Sequence, residues 1–139
     1  MPSPVGEENL DTLLASLHPH LHPAVYVFCT LENGKSLPSS VVPICQFQEA
    51  ESLTLIVDQE QAKQASLPSL YPCRMITLRV HSSLAAVGLL AKVAQALAME
   101  NISVNAISAY YHDHLFVPCD RAEDAMICLQ QLALQTDSH

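Results

Sequence analysis

Two histidines and an aspartate stand within three positions in the stretch YYHDHLFVP, Tyr110 to Pro118. Residues two apart on a strand share a face, so His112 and His114 could converge on one metal ion or one substrate. The same residues could also form the polar rim of a hairpin, because aspartate suits turns. A turn between the histidines would break the shared face, and no metal ligand is assigned. A second set, His18, His20 and His22 in HPHLH, reads as a proline-bounded loop rather than a helix with ligands at four-residue spacing. Without three or four ligands and their supporting contacts it is expected to be structural. Cys119 precedes the last expected helix, whose dipole could lower its pKa, but the sequence sets no base beside it. No catalytic residue is assigned. His112, Asp113, His114 and Cys119 carry the alternative reading, a metal-dependent or cysteine hydrolase.

Composition narrows the classes. At 139 residues the chain can bury about two-thirds of its unfolded surface, enough for one domain or two packed half-domains. No uninterrupted apolar run approaches the roughly 18 to 20 residues needed to cross a bilayer. The opening MPSPVGEENLD carries acids where a signal peptide would carry positive charge, so a soluble cytoplasmic protein is expected, without a membrane partner. Fourteen acids against six basic residues give a net charge of −8. Lys35, Lys63, Arg74, Arg79, Lys92 and Arg121 are scattered, which argues against a nucleic-acid partner. Five cysteines without a CxxC pair suggest reduced thiols, and no cofactor is expected.

The elements that must position these residues follow from spacing. Leu10, Leu13, Leu14 and Leu17 form a helical apolar stripe that the prolines at 19 and 23 end. AVYVFCTL and VVPICQF read as strands around the Asn-Gly turn of ENGK, with Pro43 marking an edge or a bulge. SLTLIV is a third strand, and Asp58 with Gln61 resembles a capping box opening a helix through Ala65. SLPSLYPC is the linker candidate. RMITLRV returns to strand, Leu84 to Met99 reads as a helix with Ala86, Leu90, Val93 and Leu97 on one face, and ENISVNAISAYY and HLFVP read as two strands. Asp120 with Glu123 opens a last helix through Leu134. The second half is thus β-α-β-β-α, and each half ends in strand, capping Asp and helix.

Only three glycines occur. Gly34 has its turn and Gly6 a terminus, but Gly88 sits within the expected helix, where glycine costs about 1 kcal/mol relative to alanine. Near a helix start, a missing side chain lets a ligand or a neighbouring backbone approach, and exposed N–H groups there favour a carboxylate.

VHSSLAAVGLLAKVAQALAMENISVNAISAYYHDHLFVP resembles the ACT domain, and AVYVFCT with EAESLTLIVDQEQA is similar to the degenerate N-terminal half of small tandem ACT-like proteins. The resemblance implies an α+β fold of two ferredoxin-like βαββαβ halves with antiparallel sheets and helices on one face. It divides the chain into a degenerate half at 1–66, a linker at 67–73 and an ACT domain at 74–139. It implies a non-catalytic regulatory module that binds a small molecule, usually an amino acid, between units, with a homodimer through sheet edges or helices. Carried onto this chain, the ligand region falls on Ser82, Ser83, Val87, Gly88, Leu89 and Asn105, although HSSLAAVG departs from the family's Asp-x-x-Gly. Tyr111, Asp113 and His114 at the hairpin complete the candidate set, with Tyr110 and Tyr111 ending one strand, His112 and Asp113 making the turn and His114 opening the next. A ligand-free assembly adaptor is the other alternative.

Overall fold

The computed structural model describes residues 9–80 and 82–137, and Gly6 lies outside them. Its elements run α1 (Leu10–Ala15), β1 (Pro19–Leu31), β2 (Cys45–Gln48), β3 (Leu53–Asp58), α2 (Gln59–Gln64), β4 (Ser69–Leu78), α3 (Leu89–Met99), β5 (Asn105–Ser108), β6 (Asp113–Pro118), a 3-10 turn at Cys119–Arg121 and α4 (Ala122–Asp137). The expected α+β class with two ferredoxin-like halves holds. By contacts the chain forms two units, one of the residues up to His22 with those from Met75 onward, the other of Pro23–Arg74.

Each unit has the ferredoxin-like strand order, β2-β3-β1-β4 in Pro23–Arg74 and β5-β6-β4-β1 in the other. β1 and β4 therefore serve twice. The body of β1 is the first strand of one unit and its opening residues, Pro19–His22, are the last strand of the other, while β4 does the converse. Pairing is antiparallel, from Tyr26 opposite Asp58 to Leu31 opposite Leu53, and from Asn105 opposite Phe116 to Ser108 opposite Asp113. The 67–73 stretch read as a linker holds the start of β4, and α1 belongs with the second half of the sequence.

In the unit built on the second half, α1 starts where Asn9 Oδ1 accepts the Thr12 N–H at 3.0 Å, satisfying one of the orphan donors of a helix start. Its leucine stripe then buries Leu13 and Leu14, with Leu17 just beyond. Alternation along the strands turns Ile76 and Leu78 of β4, and Leu115 and Val117 of β6, toward the same core. There they meet Leu89, Val93 and Leu97 of α3 and Ala125 and Leu129 of α4. Each such large apolar side chain contributes about 1.5 to 3 kcal/mol by leaving water. Past α3, Asn101 takes φ +58° and Arg121 donates to the carbonyls of Glu100 and Asn101 at 3.1 and 3.2 Å. These bonds close the helix's C-terminal end.

The Pro23–Arg74 unit packs a smaller core of Val27, Cys29, Val41, Leu55, Val57 and Ala62. No helix forms between β1 and β2, where a βαββαβ pattern has its first one. Gly34 with φ +88°, followed by Pro38 and Pro43, blocks helical continuation there. The connection is tied down instead, because Gln61 Oε1 accepts the Val42 N–H at 2.9 Å. Gln61 therefore does not complete the expected capping box. Asp58 caps α2 through the Glu60 N–H at 2.9 Å.

HPHLH does not form a loop, as its prolines suggested. Residues 19–22 open β1, whose pairing with β3 begins only at Tyr26, so the missing N–H groups of Pro19 and Pro23 break no bond on that side. His20 and His22 consequently share a face of the strand, with ring centroids 4.6 Å apart.

Candidate functional site

The segment between β4 and α3 is built of turns. The Ser83 hydroxyl accepts the Ala85 N–H and its carbonyl the Ala86 N–H, both at 3.0 Å, so Ser83 caps this turn and not the helix. The helix expected from Leu84 starts only at Leu89, because Gly88 takes φ +96° as its N-cap. Glycine adopts this left-handed conformation without the penalty other residues meet. The space a side chain would take is met by α1: a Cβ there would lie 3.3 Å from Leu10 Cδ2. The first helical bond runs from Lys92 N–H to the Gly88 carbonyl. The N–H groups of the first turn have no intrahelical acceptor, and Gly88, the N-cap, has no side chain to cap them.

The β5–β6 hairpin supplies the facing wall. Ala109 N–H donates to the His112 carbonyl at 2.9 Å, which puts Tyr110 and Tyr111 at the tip. The expected turn at His112 and Asp113 is displaced, and Asp113 is the first residue of β6. Alternation sends its side chain to the helix face, in phase with Leu115 and Val117, where it is 8% exposed. Its Oδ1 accepts the Ser108 hydroxyl from the opposite strand at 2.5 Å.

These two walls enclose a small pocket of about 70 Å³. Ser82, Ser83, Leu84, Ala86, Leu89 and Leu90 line one side, and Ser108, Ala109 and Asp113 the other. A carboxylate, three hydroxyls, apolar walls and a helix N-terminus thus meet in one small cleft.

Of the sequence candidates, Ser82, Ser83, Leu89 and Asp113 line this pocket, whereas Val87, Gly88, Asn105, Tyr111 and His114 do not. Val87 is 84% exposed and Tyr111 60%, and Asn105 is exposed on β5, the last strand of its order. His114 points to the face opposite Asp113, where Nδ1 lies 2.9 Å from Thr77 Oγ1. Ser108 and Leu90 escaped the sequence reading. Ser108 would have been found by pairing the hairpin around a tip at 110–111, since it then falls opposite Asp113.

The hydrolase arrangement is not assembled. Cys119 follows β6 while His114 lies near its start, and at about 3.3 Å per residue the strand separates them by roughly 16 Å. No group of three or more His, Cys, Asp or Glu side chains among the described residues is arranged to hold a metal ion. All five cysteines are thiols, and burial pushes the Cys29 and Cys128 thiols up, the latter helped by Glu100. No helix among the described residues is long and apolar enough to cross a membrane.

A profile of the ACT domain matches residues 5–74, and a second ACT-domain profile matches residues 70–131. Among solved structures, a Vibrio cholerae protein of unknown function, described as a possible transport protein, aligns with a TM-score of 0.81. It is 45% identical over 89% of this chain and 95% of its own. A protein from Agrobacterium tumefaciens aligns at 0.66 with 15% identity, covering 83% of this chain and 87% of its own. The ligand-free regulatory subunit of aspartate kinase from Thermus thermophilus aligns at 0.64 with 11% identity, covering 84% and 97%. These last two share the fold. No curated protein matches the chain.

Proposed function

This chain belongs to the ACT-domain family, and on that footing we propose that it is a non-catalytic regulatory protein of the cytoplasm that binds an amino acid in the pocket beneath the first turn of α3. The observation that carries this reading is Asp113, a nearly buried carboxylate facing the same cleft as an uncapped helix start. An α-amino acid carries the complementary pair of charges. Its carboxylate meets the N–H groups and positive dipole end of α3, and its ammonium meets Asp113. The hydroxyls of Ser82 and Ser83 add hydrogen bonds, and Leu84 and Leu90 receive the side chain. A nucleotide or another polyanion is disfavoured by the same carboxylate.

A second copy of the chain completes the site in this reading. Leu84, Val87, Tyr110 and Tyr111 are 60% or more exposed around the cleft, an apolar rim suited to another protein surface. Val87 and Tyr111 act there, at the subunit contact, and the exposed edge of β5 with Asn105 offers a further contact. Binding would then shift the population of packed states by the ligand's differential affinity for them, and so regulate a partner.

The test is thermal unfolding in the presence of each of the twenty amino acids. A binder at about 100 times its dissociation constant adds about 2.7 kcal/mol of stability. Asp113→Asn, which keeps an acceptor for Ser108, should abolish that gain while leaving the ligand-free midpoint nearly unchanged. If no amino acid raises the midpoint, or if Asp113→Asn binds as tightly as the parent, the reading fails.

A further inference from the structure

On the sheet face opposite the pocket, Thr77 Oγ1 lies 2.8 Å from His22 Nε2 and 2.9 Å from His114 Nδ1, joining β1, β4 and β6 of one unit through one buried hydroxyl. A hydroxyl has one proton to donate and lone pairs to accept with. Both contacts are fully used when one facing nitrogen carries a proton and the other is bare. One imidazolium ring satisfies that condition as well as two neutral rings of matched tautomers do. Two imidazolium rings do not, because both facing nitrogens are then donors and the Thr77 proton loses its acceptor.

The surroundings oppose the second charge. His20 packs edge-on against His22, and Arg79, whose N–H groups donate to the His18 carbonyl, adds positive potential. His112, whose Nδ1–H donates to the Val80 carbonyl at 3.2 Å, has its ring 6.4 Å from that of His114. Asp113 favours the charged form of His114, but its carboxylate is turned to the other face and accepts the Ser108 hydroxyl.

We propose that His22, Thr77 and His114 form a one-proton latch across β1, β4 and β6, closed while at most one ring is charged and opened by the second proton, which frees the end of β6 that carries Asp113. Burial, ahead of the neighbouring positive groups, holds both rings below the usual histidine range, as the latch requires. A depressed histidine pKa means that the unfolded chain binds more protons. The latch therefore stabilises the fold fully above the unfolded value of about 6.5, and is lost as pH falls from there toward the folded values. This makes the carboxylate wall of the pocket acid-sensitive through two rings on the opposite face of the sheet.

The experiment uses the full chain without ligand, so that failure of the amino-acid reading leaves it intact. Histidine ring nitrogens are followed by NMR from pH 7.5 to 5, together with amide exchange along β6 and the same measurements on His22→Gln and Thr77→Val. Two separate titration steps for His22 and His114 are expected. Protection along β6 should fall by up to about tenfold per pH unit as the second proton binds, the slope set by one proton. His22→Gln keeps a hydrogen-bonding side chain but carries no charge, so it should flatten that fall and leave His114 with one step. Thr77→Val should merge the two steps toward independent titration. Rings titrating together at the ordinary value, or a His22→Gln variant that loosens as steeply as the parent, would overturn the latch.

Discussion

Ser108 donates its hydroxyl to Asp113 across the last pair of the β5–β6 ladder, so the carboxylate wall of the pocket is held from the opposite strand. Asp113 is nearly buried and its Oδ1 needs that donor. Ser108→Ala should therefore lower stability by about 1.5 to 3 kcal/mol, the range for a hydrogen bond to a charged group. Ser108→Thr should restore most of it. Urea midpoints of the three proteins are the measurement, and an unchanged midpoint for the alanine variant would mean that water replaces the serine without loss.

Gly88→Ala should destabilise the protein, the reverse of what a mid-helix glycine would give. The left-handed conformation costs about 1 to 2 kcal/mol for a residue with a Cβ, and Leu10 lies 3.3 Å from where that Cβ would be. The two causes separate in a Leu10→Ala background. A loss that persists there belongs to the backbone, and one that disappears belongs to the contact with α1.

Gln61→Ala should release the connection between β1 and β2 by removing the acceptor of the Val42 N–H. The contact is exposed, so the stability loss should stay near 1 kcal/mol, but proteolysis around Val42 should quicken. Gln61→Glu keeps an acceptor and should resist cleavage like the parent. Equal cleavage of all three would show that the buried Val41, and not the hydrogen bond, fixes this segment.

The legible parts of the fold were those where one physical pattern acted alone. Leu10, Leu13, Leu14 and Leu17 carry an unopposed helical period, and β6 a short unbroken apolar run, Leu115 to Val117. Misreadings came where two signals competed. LAAV before Gly88 has strong helix propensity, yet the turn capped by Ser83 and the left-handed glycine delay the helix to Leu89. Prolines at 19 and 23 signalled a loop, but their missing N–H groups break no bond to β3, so HPHLH became strand. Turn chemistry favoured Asp113 at the hairpin tip, whereas Tyr110 and Tyr111 occupy it and Asp113 is buried. Thr77 gave no local signal at all, because its partners are 55 and 37 residues away in sequence.

The two sequence halves are not the two folding units, and this gives a test by dissection. Residues 74–139 lack both α1, whose Leu13 and Leu14 lie in that unit's core, and the opening of β1 that completes its strand order. Removing two buried leucines alone costs about 4 to 10 kcal/mol at the 2 to 5 kcal/mol typical of such truncations, against a total stability of about 5 to 15. That fragment should therefore be unfolded or aggregated, by circular dichroism and amide dispersion. The missing parts can be returned without the other unit. Leu10 and Asp11 of α1 line the same surface groove as Gln135 and Thr136 of α4, so the end of α4 lies near the start of α1. A permuted chain running from Met75 to His139, through a short Gly/Ser linker, and then from Met1 to His22 should fold cooperatively where 74–139 does not. If 74–139 unfolds with the same sharp transition as the permuted chain, α1 and the opening of β1 are accessories rather than parts of that unit.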